Sequence, residues 1–377
     1  PTGLFEIIPS LAGIAFSDSD SVVICVYAFD TPDYCGPNWG DTCWAFVISL
    51  SGPVPQWVQY APESWVACDS FEQYAVMTIT DPDGVDPTSI IITVNGDTFA
   101  VDSFQVEYVN DTLIFDPANP PDFWHDNDSV EICLLEAVDS LGNAFSGPYC
   151  WWWRMDLSPP VFWDEVPVDG ALLNDSTAAI SIYTFDSLSG LDPSCIEITI
   201  YDSLIISAGY SGFVFDTATG MVYFNPATSG LYWEDWDTVN ICITACDLPD
   251  YCDPNVGEFC WEFYVHLRGP EAEIVTPQPG EITSCYDQCI VINMWDDDAG
   301  VDPSTIELIV DGVSYGVDGS ALVYEATASE TTLTFCPIPA GIAWSDSQEV
   351  CVQLVAADDT LGNPLQTCLL YTSPSPR

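Results

Sequence analysis

The chain of 377 residues contains no lysine, and its only permanently cationic side chains are Arg154, Arg268 and Arg377. Against 58 acidic residues this leaves a formal net charge of −55. Nucleic acid and anionic membrane surfaces are held by clustered Lys and Arg, and no such cluster can be assembled from three arginines. The missing lysine also excludes lysine–asparagine isopeptide staples, so any covalent cross-link must come from cysteine. Histidine is almost absent. His125 and His266 lie far apart in sequence, and acid–base or nucleophilic catalysis is left without its usual partner. No residue set demands an enzymatic reading. No segment repeats apolar residues every 3.6 positions, and none reaches the length of a membrane-spanning helix.

Hydrophobic residues make up 48% of the chain and aromatics 13%, ample for packed cores, so the acidity does not signal disorder. Self-repulsion at this charge must be relieved by salt, bound cations or protonation, which points to a saline, calcium-containing or acidic exterior. Sixteen cysteines without zinc-ligand spacing read as disulfides and therefore as an oxidising compartment. The expected location is extracellular or at the cell surface.

One pattern recurs at a period of roughly 110 residues, the length of a single sandwich domain. Gly84-Val85-Asp86-Pro87, Gly190-Leu191-Asp192-Pro193 and Gly300-Val301-Asp302-Pro303 each open a strand of alternating aliphatics. Those strands carry Ile90/Ile92/Val94, Ile196/Ile198/Ile200 and Ile306/Leu308/Val310 on one face. Further strands end at Phe115, Phe224 and Phe335, each followed by Pro two positions later. Phe5 to Pro9 reads as the same strand of an earlier repeat. Cys43-Trp44, Cys150-Trp151 and Cys260-Trp261 mark a closing strand. The expected fold is all-β: tandem antiparallel β-sandwiches over 50–157, 158–268 and 269–367, the last lacking its final strand, preceded by the C-terminal part of another repeat over 1–49.

This order resembles the tandem immunoglobulin-like domains of bacterial S-layer and other surface proteins, in which an Asp-Pro-Ser-Thr turn follows the second strand. The resemblance covers nearly all of residues 1–367 and implies the sandwich fold. The heavy use of cysteine and tryptophan departs from it. Residues 368–377 resemble a translated sequencing-library adapter and are expected to be a non-native tail, with the natural chain continuing beyond Thr367.

Strand alternation sets the cysteine geometry. Around Cys133 and Cys242 the inward positions are Val130/Ile132/Leu134 and Val239/Ile241/Ile243, which turns the cysteines outward. Cys25–Cys43, Cys133–Cys150 and Cys242–Cys260 should therefore bridge neighbouring antiparallel strands on an outer face, where opposed residues approach closely enough to bond. Cys351 has no such partner. For the rest, Cys35 with Cys68 and Cys252 with Cys285 could pair between repeats. Geometric limits favour local links instead: Cys246–Cys252, with Cys285–Cys289 or Cys289–Cys336. Cys195 has no obvious partner.

Metal is the leading chemical expectation. Asp81, Asp83 and Asp86, and again Asp296, Asp298 and Asp302, place several hard oxygen ligands in one short loop, as calcium requires. The favoured reading of these loops makes Asp86, Asp192 and Asp302 caps of a turn begun by the following proline, because it covers all three repeats, though the same aspartate could serve both roles. The second repeat has Asp186-Ser187-Leu188-Ser189 in place of an acid cluster. Alternation leaves Trp152 on the cysteine face, near Trp124 and His125, either to stack on a sugar ring or neighbouring subunit or to cover a disulfide. Asn110, Asn127 and Asn174 lie in glycosylation sequons. The expected function is non-enzymatic: an extracellular structural repeat forming a stalk, adhesin shaft, S-layer or sheath component. The alternative is a carbohydrate- or protein-binding module attached to another domain. Expected partners are other repeats, surface proteins or glycans, with no nucleic acid and no membrane insertion in this stretch.

Overall fold

The computed structural model describes residues 3–70, 72–117, 123–297, 299–317, 320–327, 331–366 and 369–372. It is all-β, built from mainly antiparallel sheets joined by turns, two of which carry a short parallel edge strand (Trp65–Val66 and Ala171–Leu173), with one-turn helices at Pro9–Ala12, Pro87–Ser89 and Pro226–Ser229. Among the described residues, no helix is long and apolar enough to cross a membrane.

Three hydrophobic clusters organise the sheets. The first lies between a four-stranded sheet (Val54–Gln59, Ala75–Thr80, Thr112–Phe115, Val106–Val109) and a five-stranded one. The latter runs Trp65–Val66, Tyr149–Met155, Ser129–Glu136, Ile91–Val94 and Asp97–Ala100 in spatial order. Met77, Ile79, Leu113 and Phe115 face Ile92, Ile132, Leu134, Trp151 and Trp153 across this core. The burial alternates with the strand period of two, as expected for sheets packed on one face. The second cluster repeats the plan with Ile180, Ile182, Val222 and Phe224 against Ile198, Ile200, Ile241, Trp261 and Phe263. The third uses Ile290, Ile292, Leu333 and Phe335 against Leu308, Val310, Val352 and Leu354. Ser21–Phe29 and Trp39–Val47 form a separate two-stranded ribbon.

Two compact units result. One comprises residues 1–159 with segments 186–190 and 247–255, and the other holds the remainder.

Phe5 to Pro9 is not a strand. Residues 3–8 have no regular structure and lead into the turn Pro9–Ala12. A strand needs a ladder partner for its N–H and C=O groups, and none of the described strands supplies one here. At the other end, Leu369–Thr372 pairs with Cys351–Ala356, setting Cys351 opposite Thr372. Cys368 lies outside the described residues.

The Asp-Pro turns are capped. Asp86 Oδ1 accepts from Thr88 N at 2.9 Å, Asp192 Oδ1 from Ser194 N at 2.8 Å and Asp302 Oδ1 from Ser304 N at 2.9 Å. The Ser304 hydroxyl and N–H hold the Asp302 carboxyl below its ordinary value. Asp302→Ala is expected to lower stability through the lost cap, measurable as a lower denaturant midpoint with unchanged slope.

Candidate cation sites

Among the described residues the cysteines form six bridges. Cys25–Cys43, Cys133–Cys150 and Cys242–Cys260 join directly opposed residues of adjacent strands, with Cα–Cα separations of 4.1, 4.0 and 4.1 Å. Cys133 is only 7% exposed, yet the core members of its strand are its neighbours Val130, Ile132 and Leu134. Cys289 bonds Cys336. The expected Cys246–Cys252 link does not form, because Cys246 bonds Cys195 and Cys252 bonds Cys68. The physical reason lies in the 247–255 loop, which belongs to the first unit. Ala67 N donates to Tyr251 O, Ala61 N donates to the Tyr251 hydroxyl, and the Tyr251 ring packs edge-on against Tyr60. These contacts carry Cys252 to Cys68. Cys35, Cys285 and Cys351 are unbonded among the described residues.

The aromatic expectation is corrected. Trp124 is 6% exposed and packs against Trp153 and Phe115 in the core, where its backbone N–H is fixed by Gln73. Trp152 is half-buried beneath the Arg154 guanidinium, 5.3 Å from its ring centre, and Arg154 is equally close to Trp65. The two tryptophans form no shared exposed platform.

The acidic groups do converge, but not as single loops. A recurrent clamp sets their positions. Asp30, Asp139, Asp247 and Asp359 each accept through one carboxylate oxygen from the backbone N–H of a later asparagine and through the other from its side-chain amide. These asparagines are Asn38, Asn143, Asn255 and Asn363. In the last three, the same amide also reaches a backbone carbonyl at the end of an earlier strand: Ser49, Asp156 and His266 respectively. The clamp thereby places one aspartate beside the side chain of Asp156, and another beside His266.

The opposing acid comes from the loop ahead of Gly-x-Asp-Pro. Gly190 and Gly300 adopt left-handed backbone (φ 85° and 72°), and their N–H groups donate to Asp186 Oδ1 at 3.0 Å and Asp296 Oδ1 at 2.8 Å. Leu188 N and Ala299 N add second donors to the same oxygens.

Three groups follow, each with ligand atoms within 4.8 Å of one another: Asp81, Asp83 and Asp139; Asp156, Asp186 and Asp247; and His266, Asp296 and Asp359. Asp81 and Asp83 are thus joined by Asp139 rather than Asp86, which is occupied in capping. Asp296 is joined by His266 and Asp359 rather than Asp302, and Asp298 lies outside the described residues. The second repeat, whose loop carries a single acid, owns the most deeply buried group: Asp156 and Asp247 are inaccessible and Asp186 nearly so. Its donors come from three distant segments, which is why a search for clustered acids along the chain misses it. A usable signal was present in Asp139-x-x-x-Asn143 and Asp359-x-x-x-Asn363, two landmarks of the repeat.

Electrostatics distinguish the groups. Burial pushes the Asp247 carboxyl up to about 6, aided by the negative charges of Asp156 and Asp186, although Asn255 donates to both its oxygens. Asp186 is also raised, burial again leading. At Asp139 burial is outweighed by donors from Asn143, Leu141 and Gly142, and its carboxyl lies below its ordinary value. In the Asp156 group, Asp156 Oδ2 accepts from Ser189 N at 2.8 Å, whereas Oδ1 and the Ser189 hydroxyl are buried with no hydrogen-bond partner. Arg154 lies over its tryptophans and Arg268 on Asp235.

No protein-family model matches the chain, and no curated protein matches it in sequence. Among solved structures it is similar to a Ca2+-stabilized adhesin with which an Antarctic bacterium binds ice. That match has 12% identity and a TM-score of 0.32, covering 94% of this chain and 81% of that one. A 1.5-MDa bacterial ice-binding adhesin gives 11% identity and a TM-score of 0.38 over 87% of this chain and 98% of that one. Protocadherin gammaB7 gives 13% identity and 0.31 over 94% and 83%. TM-scores this low identify no shared site or function.

Proposed function

We propose that the chain is an extracellular structural repeat, a stalk, shaft, S-layer or sheath segment built from sandwiches over 50–157, 158–268 and 269–367. In this reading calcium fills the buried Asp156/Asp186/Asp247 group. The observation that carries the proposal is that group itself: three carboxylates in mutual reach and out of water, with one oxygen unpartnered and no lysine in the chain. Desolvated like charges are costly unless a cation compensates them. Calcium takes six to eight hard oxygens, which suits carboxylates supplemented by hydroxyl, carbonyl or water. Six disulfides support an oxidising exterior.

A stiff, disulfide-stapled repeat should resist proteolysis in sea-like or extracellular calcium. Chymotrypsin is a sensitive probe, because 14 Trp, 17 Tyr and 18 Phe offer abundant cleavage sites. The oxidised chain in millimolar calcium is expected to survive for hours, and the same chain with chelator and reductant to be cut within minutes. Equal cleavage rates in both conditions would overturn the structural reading. Glycan-array binding that Trp152→Ala abolishes would replace it with the binding-module reading.

A further inference from the structure

We propose that His266, Asp296 and Asp359 form a site for a borderline divalent transition cation, with Zn2+ as its representative. This site is chemically distinct from the all-carboxylate group at Asp156 and independent of whether calcium occupies that group.

His266 is 3% exposed, and neither ring nitrogen has a hydrogen-bond partner. A buried imidazole normally satisfies at least one nitrogen. Here Nε2 points at Asp296 Oδ2 from 3.7 Å, too far for a hydrogen bond. It is close to the separation of about 3.4 Å expected of two ligands on a tetrahedral zinc with bonds near 2.1 Å. The Asp296 side chain is itself 1% exposed. Asp359 supplies the third donor within 4.8 Å.

The surrounding groups fix these ligands as metal sites require. Asp235 Oδ1 lies 3.8 Å from His266 Nδ1, so the carboxylate stands at the far side of the ring and leaves Nε2 for the ion. Asp235 is anchored by Leu267 N and by Arg268 Nε, the latter at 2.9 Å. Trp236 packs edge-on against the imidazole, ring centres 5.1 Å apart, which restricts its rotation. Asp296 Oδ1 is held by Ala299 and Gly300 N–H groups, and Asp359 by Leu361 N and both nitrogens of Asn363. Asn363 also donates to His266 O, tying the histidine backbone to the aspartate clamp.

The same clamp geometry places Asp156 where the second unit places His266. One oxygen exchanged for one imidazole nitrogen changes the metal preference. Imidazole suits zinc and its neighbours, while a purely oxygen set suits calcium and magnesium.

The test uses the full oxidised chain, with every residual thiol alkylated, Cys368 as well as Cys35, Cys285 and Cys351, so that free thiols cannot bind the metal. Because the chain has only two histidines, a histidine-labelled sample gives two imidazole signals, with exposed His125 as an internal control. Titration with Zn2+ in excess calcium is expected to move the His266 signal to saturation at one equivalent and leave His125 unmoved. Asp296→Asn, which keeps an acceptor for Ala299 and Gly300, and His266→Gln are each expected to weaken that zinc equivalent at least tenfold. An unmoved His266 signal, or displacement of zinc by equimolar calcium, would overturn the assignment. If both variants fail to fold, the wild-type titration alone decides.

Discussion

Chelating divalent cations at pH 7.4 is expected to lower the melting temperature of the oxidised chain, and acidifying the chelated sample to pH 5 should recover part of the loss. The sign follows from Asp247. Its carboxyl titrates at about 6 in the fold, above the ordinary value of 3.8. Between those values the folded state binds more protons than the unfolded one, so stability in chelator falls as pH rises through 6. Asp186, also raised, acts in the same direction. A carboxyl displaced this far corresponds to roughly 3 kcal/mol, and solvent screening reduces this to about 1–2 kcal/mol, enough to move the melting temperature by several degrees. Calcium reverses the slope, because a bound ion requires ionised ligands. At a hundredfold excess over its dissociation constant it adds about 2.7 kcal/mol. Scanning calorimetry at pH 5, 6 and 7.4, with chelator or calcium, checks this. Asp247→Asn retains an acceptor for Asn255 N and should flatten both dependences. A chelated melting temperature that climbs from pH 5 to 7.4 would contradict the account.

The double variant Cys68→Ala/Cys252→Ala should be the most damaging cysteine replacement. The bridge spans 184 residues, for which chain entropy alone gives about 5 kcal/mol, against about 3 for the 17- and 18-residue cross-strand bridges. Other bridges inside the ring shorten its free path and lower the entropic part. Lost packing adds to the cost, since Cys68 is fully buried beside Tyr60, whose hydroxyl lies 3.3 Å from its sulfur. A net loss of about 3–5 kcal/mol is expected from guanidinium unfolding with the other bridges verified by peptide mapping. A loss below about 1 kcal/mol would show that the loop 247–255 is held by its noncovalent contacts alone.

Architecture was readable in sequence because strand alternation is local. Ile90/Ile92/Val94 and their counterparts announce their face without reference to any partner. The cross-strand bridges were readable for the same reason, each joining two residues whose faces were already known. The Cys68–Cys252 bridge was not, since it depends on where Tyr251 docks, a tertiary fact. The acid groups failed likewise. Asp81, Asp83 and Asp296 were found as loop acids, but Asp139, Asp156, Asp247 and Asp359 are contributed by segments scattered along the chain. Nothing local to His266 in the sequence marks its unpartnered nitrogens.

The Cys68–Cys252 bond also decides how the chain answers to pulling. Tension entering before residue 68 crosses the sulfur–sulfur bond to residue 252 and does not pass through the 183 residues between them, one fewer than the separation of 184. At 3.3–3.6 Å per residue, roughly 600 Å of contour is withheld. While this bond is intact, the sandwich strands from Ala75 to Thr238 cannot be drawn out from the ends, however large the extension. Reduction of that bond would release only part of the length, since Cys133–Cys150 and Cys195–Cys246 still hold back their own loops until they too are reduced, so the redox state of the surroundings, rather than the strength of any sheet, sets the maximum reach of this segment.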